Sequence, residues 1–570
     1  MGRSVFTGMK RIGTVDLARN NLTKIDYKMF DGLQYCEHIN VAENRIKSVQ
    51  KHAFRELYLI KINISHNLVN EFTDEAFVRC RNISVLDLSH NNISSIPETV
   101  FIDSYMTQLE LQYNNITDLS QITLQFEGIK TLNATFNRIQ KIPRNSFPKL
   151  NLLHTVDLSH NNISEIYPGV FPNLASVRYV NMSYNSIERM TGSIFGAIPT
   201  ILQIDLSYNN ISKLTPGTFS NLVSIRELIL KNNKIEKMFK LPQALNYLHL
   251  QNNRIKEIKP FQTWETMNAL LYLDLSDNLL NDSVVAGTFH NLKSLGTLKL
   301  RNNSISIPPW QALSELQSVQ HLDFEHNKIE NITRSAFGKL SVVFTLNLAN
   351  NGVKRVSKQA FQGLLQLLTL NLSHNALDHI PNEAFRGLVS LRTLDISHNN
   401  LSKVDNKTHG LFEDLLSIRT LNLSNNKFES VSKKMFPYHK YVPYNIEEVD
   451  LSYNYMPVIH KYLTIGLQKI KKLNISHNIL NDVRSNVLGN FTQLEVLDLS
   501  HNNLEALGFG VFEPDRKLKE IYLQNNSLIG VPDKILMSNK NLTLLDLRNN
   551  DFHGFYDSFV QRIIDGGLIR

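Results

Sequence analysis

The groups that could do chemistry in this chain recur at regular intervals. Ser-His-Asn triplets place His66, His90, His160, His374, His398, His477 and His501 one residue before an asparagine, some of them in consecutive repeats. Neighbouring imidazoles are groups that bind metal ions or titrate near neutral pH. The same place also takes Tyr, Asn, Asp or Glu-His, in SYN, SNN, SDN and EHN, so it reads as a solvated turn residue. Ser and His adjacent in sequence, with no third group to orient them, are not a nucleophile and its base. A second series sets an acidic residue in each of eleven repeats: Asp16, Asp87, Glu110, Asp157, Asp205, Asp274, Asp323, Asp395, Asp450, Asp498 and Asp546. Acid–base catalysis needs groups converging on one substrate, and a column of single carboxylates specifies no pair in a cleft. The chain carries no phosphate-binding glycine loop, no H-E-x-x-H, no paired-cysteine zinc site and no nucleophile elbow. The sequence therefore predicts no enzyme, with no catalytic residue, no metal and no cofactor.

These series ride on a repeat. Residues 367–390, LLTLNLSHNALDHIPNEAFRGLVS, set apolar side chains at Leu367, Leu370, Leu372, Leu377, Ile380, Phe385 and Leu388, which follows neither a helical nor a strand period throughout. Only Leu370-Asn371-Leu372 alternates as a strand. Ser373-His374-Asn375 turn the chain away, and it returns loosely through Ile380 and Phe385. The pattern resembles the leucine-rich repeat, L-x-x-L-x-L-x-x-N-x-L, in which each solenoid turn adds one short parallel strand. One turn cannot bury its own leucines, so it must stack on neighbours. An asparagine amide has both donors and an acceptor for the backbone groups left open where the chain leaves the strand. Asn91, Asn161, Asn209, Asn327, Asn375, Asn399 and Asn502 are therefore read as a structural ladder. The predicted fold is an α/β solenoid, a leucine-rich repeat horseshoe with a parallel concave β-sheet and irregular, short-helical or 3-10 convex segments.

Ladder asparagines from Asn20 to Asn550 mark 23 turns, most of them 23 to 25 residues long. The reading is one continuous array over residues 1–552 and a tail, 553–570, that partly covers the last turn. Phe6 and Met9 match the positions of Phe385 and Leu388, so the array is expected to start upstream of Met1. Three steps are irregular. Asn233 to Asn253 is only 20 residues and loses the Phe385 equivalent, while the steps to Asn426 and Asn454 are 27 and 28 residues. The second of these holds MFPYHKYVPYNIEE, an insertion expected to bulge. The net charge of +8 is small for 570 residues and its basic residues read as scattered, which implies no nucleic-acid partner. No apolar run is long enough to span a bilayer, and the first residues lack a signal peptide. Cys36 and Cys80 stand at core positions of different turns and read as buried free thiols.

Side chains between the strand leucines face the concave side. Where that column is not acidic it is mostly asparagine, at Asn40, Asn63, Asn133, Asn181, Asn347, Asn371, Asn422 and Asn474, which keeps the face soluble. Ile229, His249, Lys299 and Tyr522 break it. Tyr247 and Tyr272 add aromatic area beside the first two breaks, so Ile229, Tyr247, His249, Tyr272 and Lys299 are candidate partner-binding residues, with Tyr438, Tyr441 and Tyr444 of the insertion. Twenty Asn-x-Ser/Thr sequons mark candidate N-glycosylation sites: Asn21, Asn63, Asn82, Asn92, Asn115, Asn133, Asn162, Asn181, Asn210, Asn281, Asn302, Asn331, Asn371, Asn400, Asn406, Asn422, Asn474, Asn490, Asn525 and Asn541. They favour secretion or surface display, with the signal peptide and any anchor outside this segment. The sequon-free windows between Asn210 and Asn281, and between Asn422 and Asn474, are the expected protein-contact regions.

The runs L-D-L-S-H-N-N-I at 86–93, V-D-L-S-H-N-N-I at 156–163 and L-D-I-S-H-N-N-L at 394–401 resemble those of animal extracellular leucine-rich repeat proteins. The unbroken array, the many sequons, the Phe near the end of most turns and the lack of cysteine-capped subdivisions are most similar to the chaoptin-like proteins. That resemblance implies a glycosylated, lipid-anchored protein of the outer plasma-membrane face that joins membranes by homophilic adhesion, its partner a protein and in particular another copy of itself. Two other readings stand beside it: a Toll-like receptor ectodomain binding an extracellular ligand, and a secreted extracellular-matrix protein.

Overall fold

The computed structural model describes residues 5, 6, 9 and 12–553, apart from 59, 125–127, 265–266, 403–409, 433, 438–443, 484, 489–490, 509–510, 513–516 and 532–540. By its internal contacts the chain forms two compact units, Met1–Leu279 and Leu280–Arg570. The described residues of the first unit contribute twelve parallel strands to its sheet, from Thr14–Asp16 to Tyr272–Asp274. Those of the second contribute eleven, from Thr297–Lys299 to Leu544–Asp546. Most are three residues long, and within each unit they pair with equivalent positions of the next turn, with one register shift between Ile60 and Lys61. Thr369, Leu370 and Asn371 lie opposite Thr393, Leu394 and Asp395.

This register follows from the repeat. A slip of one residue would turn the strand leucine to the open face and the polar residue to the core. Leu370, Leu372, Leu377 and Leu388 are all fully buried, and fully burying one such side chain is worth roughly 1.5–3 kcal/mol. A second apolar column runs behind them. Phe30, Phe54, Phe77 and Phe101 stack at centroid distances of 5.2, 4.8 and 5.1 Å, and Phe171 and Phe195 stack at 5.1 Å. In the second unit Phe337, Phe361, Phe385 and Phe412 repeat the arrangement.

The return segments hold little regular structure, because each needs only a few residues to bring the chain back. They contain two-residue strands such as Lys24–Ile25 and Ser48–Val49, 3-10 turns such as Glu98–Val100 and Arg144–Ser146, and four-residue helices at Trp310–Leu313 and Ser485–Leu488. The fold is thus a parallel β-solenoid with very little helix. In the 20-residue turn, Phe239 lies beside Phe219 at 5.8 Å but is tilted by 55° and only half-buried. It stands four residues earlier in its turn than the regular phenylalanine, so it fills that place only in part.

Cys36 and Cys80 are buried and free. The Cys80 thiol donates weakly to the Phe54 and Val78 carbonyls, and burial pushes its pKa up to about 12. It is an inert core group. Of the tail 553–570, assigned above to a partial cap, all but His553 lies outside the described residues.

Candidate protein-contact face

The ladder asparagines sit where each strand ends. Asn375 Nδ2 donates to the carbonyls of Leu372 at 2.9 Å and Ser373 at 3.1 Å in its own turn, and to Leu348 at 3.0 Å in the turn before. Its Oδ1 accepts from the amides of Asn351 at 3.1 Å and Val353 at 2.9 Å. Asn209 does the same with Leu206, Ser207 and Met182, and accepts from Ile187. Asn91, Asn161, Asn327, Asn399 and Asn502 make the same three kinds of donated bond. The amide is used fully and has nothing left for a ligand.

The Asp/Asn column of the sheet face has a structural reason beyond solubility. Asp157 Oδ1 accepts from the Ser159 amide at 3.0 Å and the Ser159 hydroxyl at 2.8 Å, and Asn371 Oδ1 accepts from the Ser373 amide at 2.9 Å. Each such residue closes the turn two residues on, which Asp and Asn do best. Asparagines next to acidic residues also bond along the column: Asn181 Nδ2 to Asp157 at 3.1 Å, Asn474 Nδ2 to Asp450 at 3.1 Å and Asn133 Nδ2 to Glu110 at 2.7 Å.

The column changes character at Ile229 and His249, which lie side by side in register, as do Glu227, Tyr247 and Tyr272 in the preceding row. His249 Nε2 meets Glu227 Oε1 at 3.2 Å, and its ring lies 5.0 Å from that of Tyr272. Tyr247 and Tyr272 are 6.4 Å apart, and the Tyr272 hydroxyl donates to Asp274 at 3.2 Å. Tyr247 is the open member, 43% exposed. The structure therefore gathers Ile229, Tyr247, His249 and Tyr272 into one patch of the first unit. Lys299 belongs to the second unit, in register with Asp323, whose carboxyl is pushed up by burial. Tyr444 turns inward: its hydroxyl donates to the Glu413 carbonyl at 2.9 Å and burial raises its pKa. Tyr438 and Tyr441 lie outside the described residues.

The triplet histidines form a feature that reading each turn alone does not reveal. His66, His90, Tyr113, Phe136, His160, Tyr184 and Tyr208 make one continuous stack, with centroids 4.0 to 4.4 Å apart. All seven have φ between 52° and 58°, the left-handed region that a turn ending in the ladder asparagine requires. Pairs recur in the second unit at His374–His398 and across Tyr453, His477 and His501. The signal in the sequence was a ring one residue before seven consecutive ladder asparagines. Burial, then the neighbouring imidazole, holds His90, His398 and His477 below the usual histidine range. Among the described residues no three His, Cys, Asp or Glu side chains group as metal ligands, and no helix is long and apolar enough to cross a membrane.

Of the sequon asparagines, Asn21, Asn92, Asn162, Asn281, Asn302, Asn331, Asn400 and Asn541 are exposed. Asn63, Asn82, Asn115, Asn133, Asn181, Asn210, Asn371, Asn422, Asn474 and Asn525 are half-buried, and Asn406 and Asn490 lie outside the described residues.

The leucine rich repeat model matches residues 127–187, 180–235, 243–305, 282–329, 297–353, 343–401 and 445–504, and a BspA type leucine rich repeat region matches residues 1–130. Podocan-like protein 1 of Mus musculus is 28% identical over 323 residues, 55% of this chain and 57% of its own length. Tsukushi of Xenopus tropicalis is 31% identical over 19% of this chain and 32% of its own, and osteomodulin of Mus musculus 30% identical over 29% and 45%. The chain thus spans well under two thirds of each of these relatives, which are secreted or extracellular-matrix proteins. Among solved structures, the crystal structure of the TLR13–ssRNA13 complex superposes with a TM-score of 0.61 at 22% identity, covering 96% of this chain and 82% of that one. A Leptospira interrogans leucine-rich repeat protein gives 0.50 at 21% identity, covering 71% and 93%. These two share the fold. With more than half its residues matched by the repeat model, the chain belongs to the leucine rich repeat family.

Proposed function

We propose that this chain is an extracellular, N-glycosylated, non-enzymatic cell-adhesion protein of chaoptin-like type, working as one continuous array on the outer face of the plasma membrane. The observation that carries the reading is the patch of Ile229, Tyr247, His249 and Tyr272. There the turn-closing Asp/Asn default is given up in two adjacent strands, and an exposed tyrosine stands in a stretch without sequons. Aromatic side chains on a rigid sheet are the usual anchors of protein interfaces. The partner is a protein, and in the homophilic form another copy of the chain. Exposed sequons of the first unit such as Asn92 and Asn162 would keep carbohydrate on the turns away from this patch.

A second reading, a secreted matrix protein, is supported by the relatives in sequence. One experiment separates the two. The chain is displayed on beads and mixed with bare beads and with non-adherent cells. Clustering of coated beads with each other, lost in a Tyr247→Ala/His249→Ala/Tyr272→Ala variant, is the homophilic outcome. Clustering with bare cells points to a different protein partner. No clustering by folded, glycosylated protein rules against adhesion by this segment and favours the matrix reading.

A further inference from the structure

The turn that is too short leaves a space behind it. From Asn233 to Asn253 the chain completes its coil in 20 residues, while the turns on either side return at ordinary length. The short return forms the floor of a groove of about 990 Å³, walled by residues 214–223 of the turn before and by Glu257, Lys259, Gln262, Thr263 and Met267 of the turn after. The floor and walls are apolar at Leu214, Met238, Phe239 and Leu241, and Val223 on the wall is 67% exposed. The rim is basic. Lys237, Lys240 and Lys259 line it against one Glu257, and none of the four joins an ion pair among the described residues. Residues 231–259 hold seven Lys or Arg and two Glu, more than half of the whole chain's +8. The 60 basic residues are spread over the full length, but here seven of them meet only two acidic residues.

We propose that this groove binds an extended acidic segment of a partner protein, an apolar side chain seated over Phe239 and Met238 and flanking carboxylates on Lys237, Lys240 and Lys259. Apolar walls with a few placed charges are the general form of such sites, and uncompensated lysines around them select the sign of the ligand. The apolar floor gives a peptide side chain a seat that the unbroken phosphate charge of a nucleic acid would not use. The sequon-free window from Asn210 to Asn281 leaves the groove open, a point that rests on the extracellular reading above. The groove lies on return segments and the Tyr247 patch on the strands, so either can fail in experiment without the other.

The test is selection of a phage library of random 12-residue peptides on the full chain, with a Lys237→Glu/Lys240→Glu variant as counter-target. The expected peptides carry at least two acidic residues beside a Leu, Phe or Trp. They bind wild type at least about tenfold more tightly than the variant, and more weakly as salt rises. Both lysines are exposed, so the variant keeps the parent's melting curve. Val223→Thr turns the stretch Asn221-Leu222-Val223 at the groove wall into a sequon. It should remove peptide binding when made in glycosylating cells and keep it when made in bacteria. Peptides without acidic bias, equal binding to the charge variant, binding that survives the added glycan, or tighter binding of a 12-nucleotide oligouridylate than of any peptide would each overturn the proposal.

Discussion

The imidazoles of His477 and His501 lie face to face in successive turns, ring centroids 3.9 Å apart and 12° from parallel. Burial is the first cause that holds His477 below the usual histidine range, the His501 imidazole the second, and Asp498 opposes both. His90 and His398 are lowered in the same way, beside His66 and His374. The folded chain therefore binds fewer protons at these sites than the unfolded chain, and stability rises with pH across that window. It is fully present above the unfolded histidine value of roughly 6.5 and is lost as pH falls through the lowered folded values. The thermal midpoint should drop as pH falls below about 6.5. Replacing His90, His398 and His477 with Tyr, which the same place carries at 113, 184 and 453, should flatten that drop. An unchanged slope in the triple variant would show that other groups set the pH dependence.

Asn375 ties two turns together through five hydrogen bonds. Asn375→Ala leaves the Asn351 and Val353 amides without an acceptor and takes one donor from each of three carbonyls that keep another, and one unsatisfied buried donor costs roughly 1–3 kcal/mol. The loss should total about 3 kcal/mol or more in denaturant unfolding. Because stability in a solenoid is passed between neighbours, the damage should also be local. The Val353 amide should lose hydrogen-exchange protection ahead of turns near Asn91. Uniform loss over all turns would contradict a nearest-neighbour array.

How much could be read in advance follows the same physics. Leu370, Asn375 and Phe385 recur with a spacing that only a solenoid explains, so fold, register and ladder were legible. Asn371 and Asp157 were legible as a column but not as the acceptors that close each turn, since that bond depends on where the Ser373 and Ser159 amides point. The stack from His66 to Tyr208 was hidden because each residue looked like a solvated turn position by itself; contact arises only between turns. Tyr444 read as a candidate contact residue of the insertion; its hydroxyl bonds the Glu413 carbonyl, a contact 31 residues away that no local pattern encodes. The groove escaped for another reason: it is a difference in length between neighbours.

Carbohydrate should separate by position. Asn133, Asn181, Asn422 and Asn474 are half-buried, and each Nδ2 donates to a carboxylate of the turn before, at 2.7, 3.1, 3.3 and 3.1 Å. A sugar on that nitrogen removes a donor hydrogen and puts bulk into the column, so molecules modified there fold poorly. Asn92, Asn162 and Asn400 are exposed and carry no such bond in the described structure. Enzymatic deglycosylation in heavy-oxygen water followed by peptide mass spectrometry should label these three in secreted protein and leave the four inner sites unlabelled. Full labelling of Asn181 or Asn474 would show that the column tolerates carbohydrate.

Two glycines give a paired test of how tightly neighbouring turns approach. Gly363 has φ +107°, and a Cβ there would strike the Gly338 carbonyl oxygen of the preceding turn, with Lys339 Cα at 3.2 Å. Backbone has no rotamer to yield, so Gly363→Ala combines a left-handed backbone with a clash and should cost about 2–3 kcal/mol. Gly352 has φ +80° but nothing within 4 Å of its Cβ position. Asn tolerates such a backbone far better than other side chains, so Gly352→Asn should stay within about 1 kcal/mol of the parent. Denaturant melts of the two variants side by side give the comparison. Equal costs would mean that backbone conformation alone decides, and that the approach of the turn at Gly338 contributes nothing.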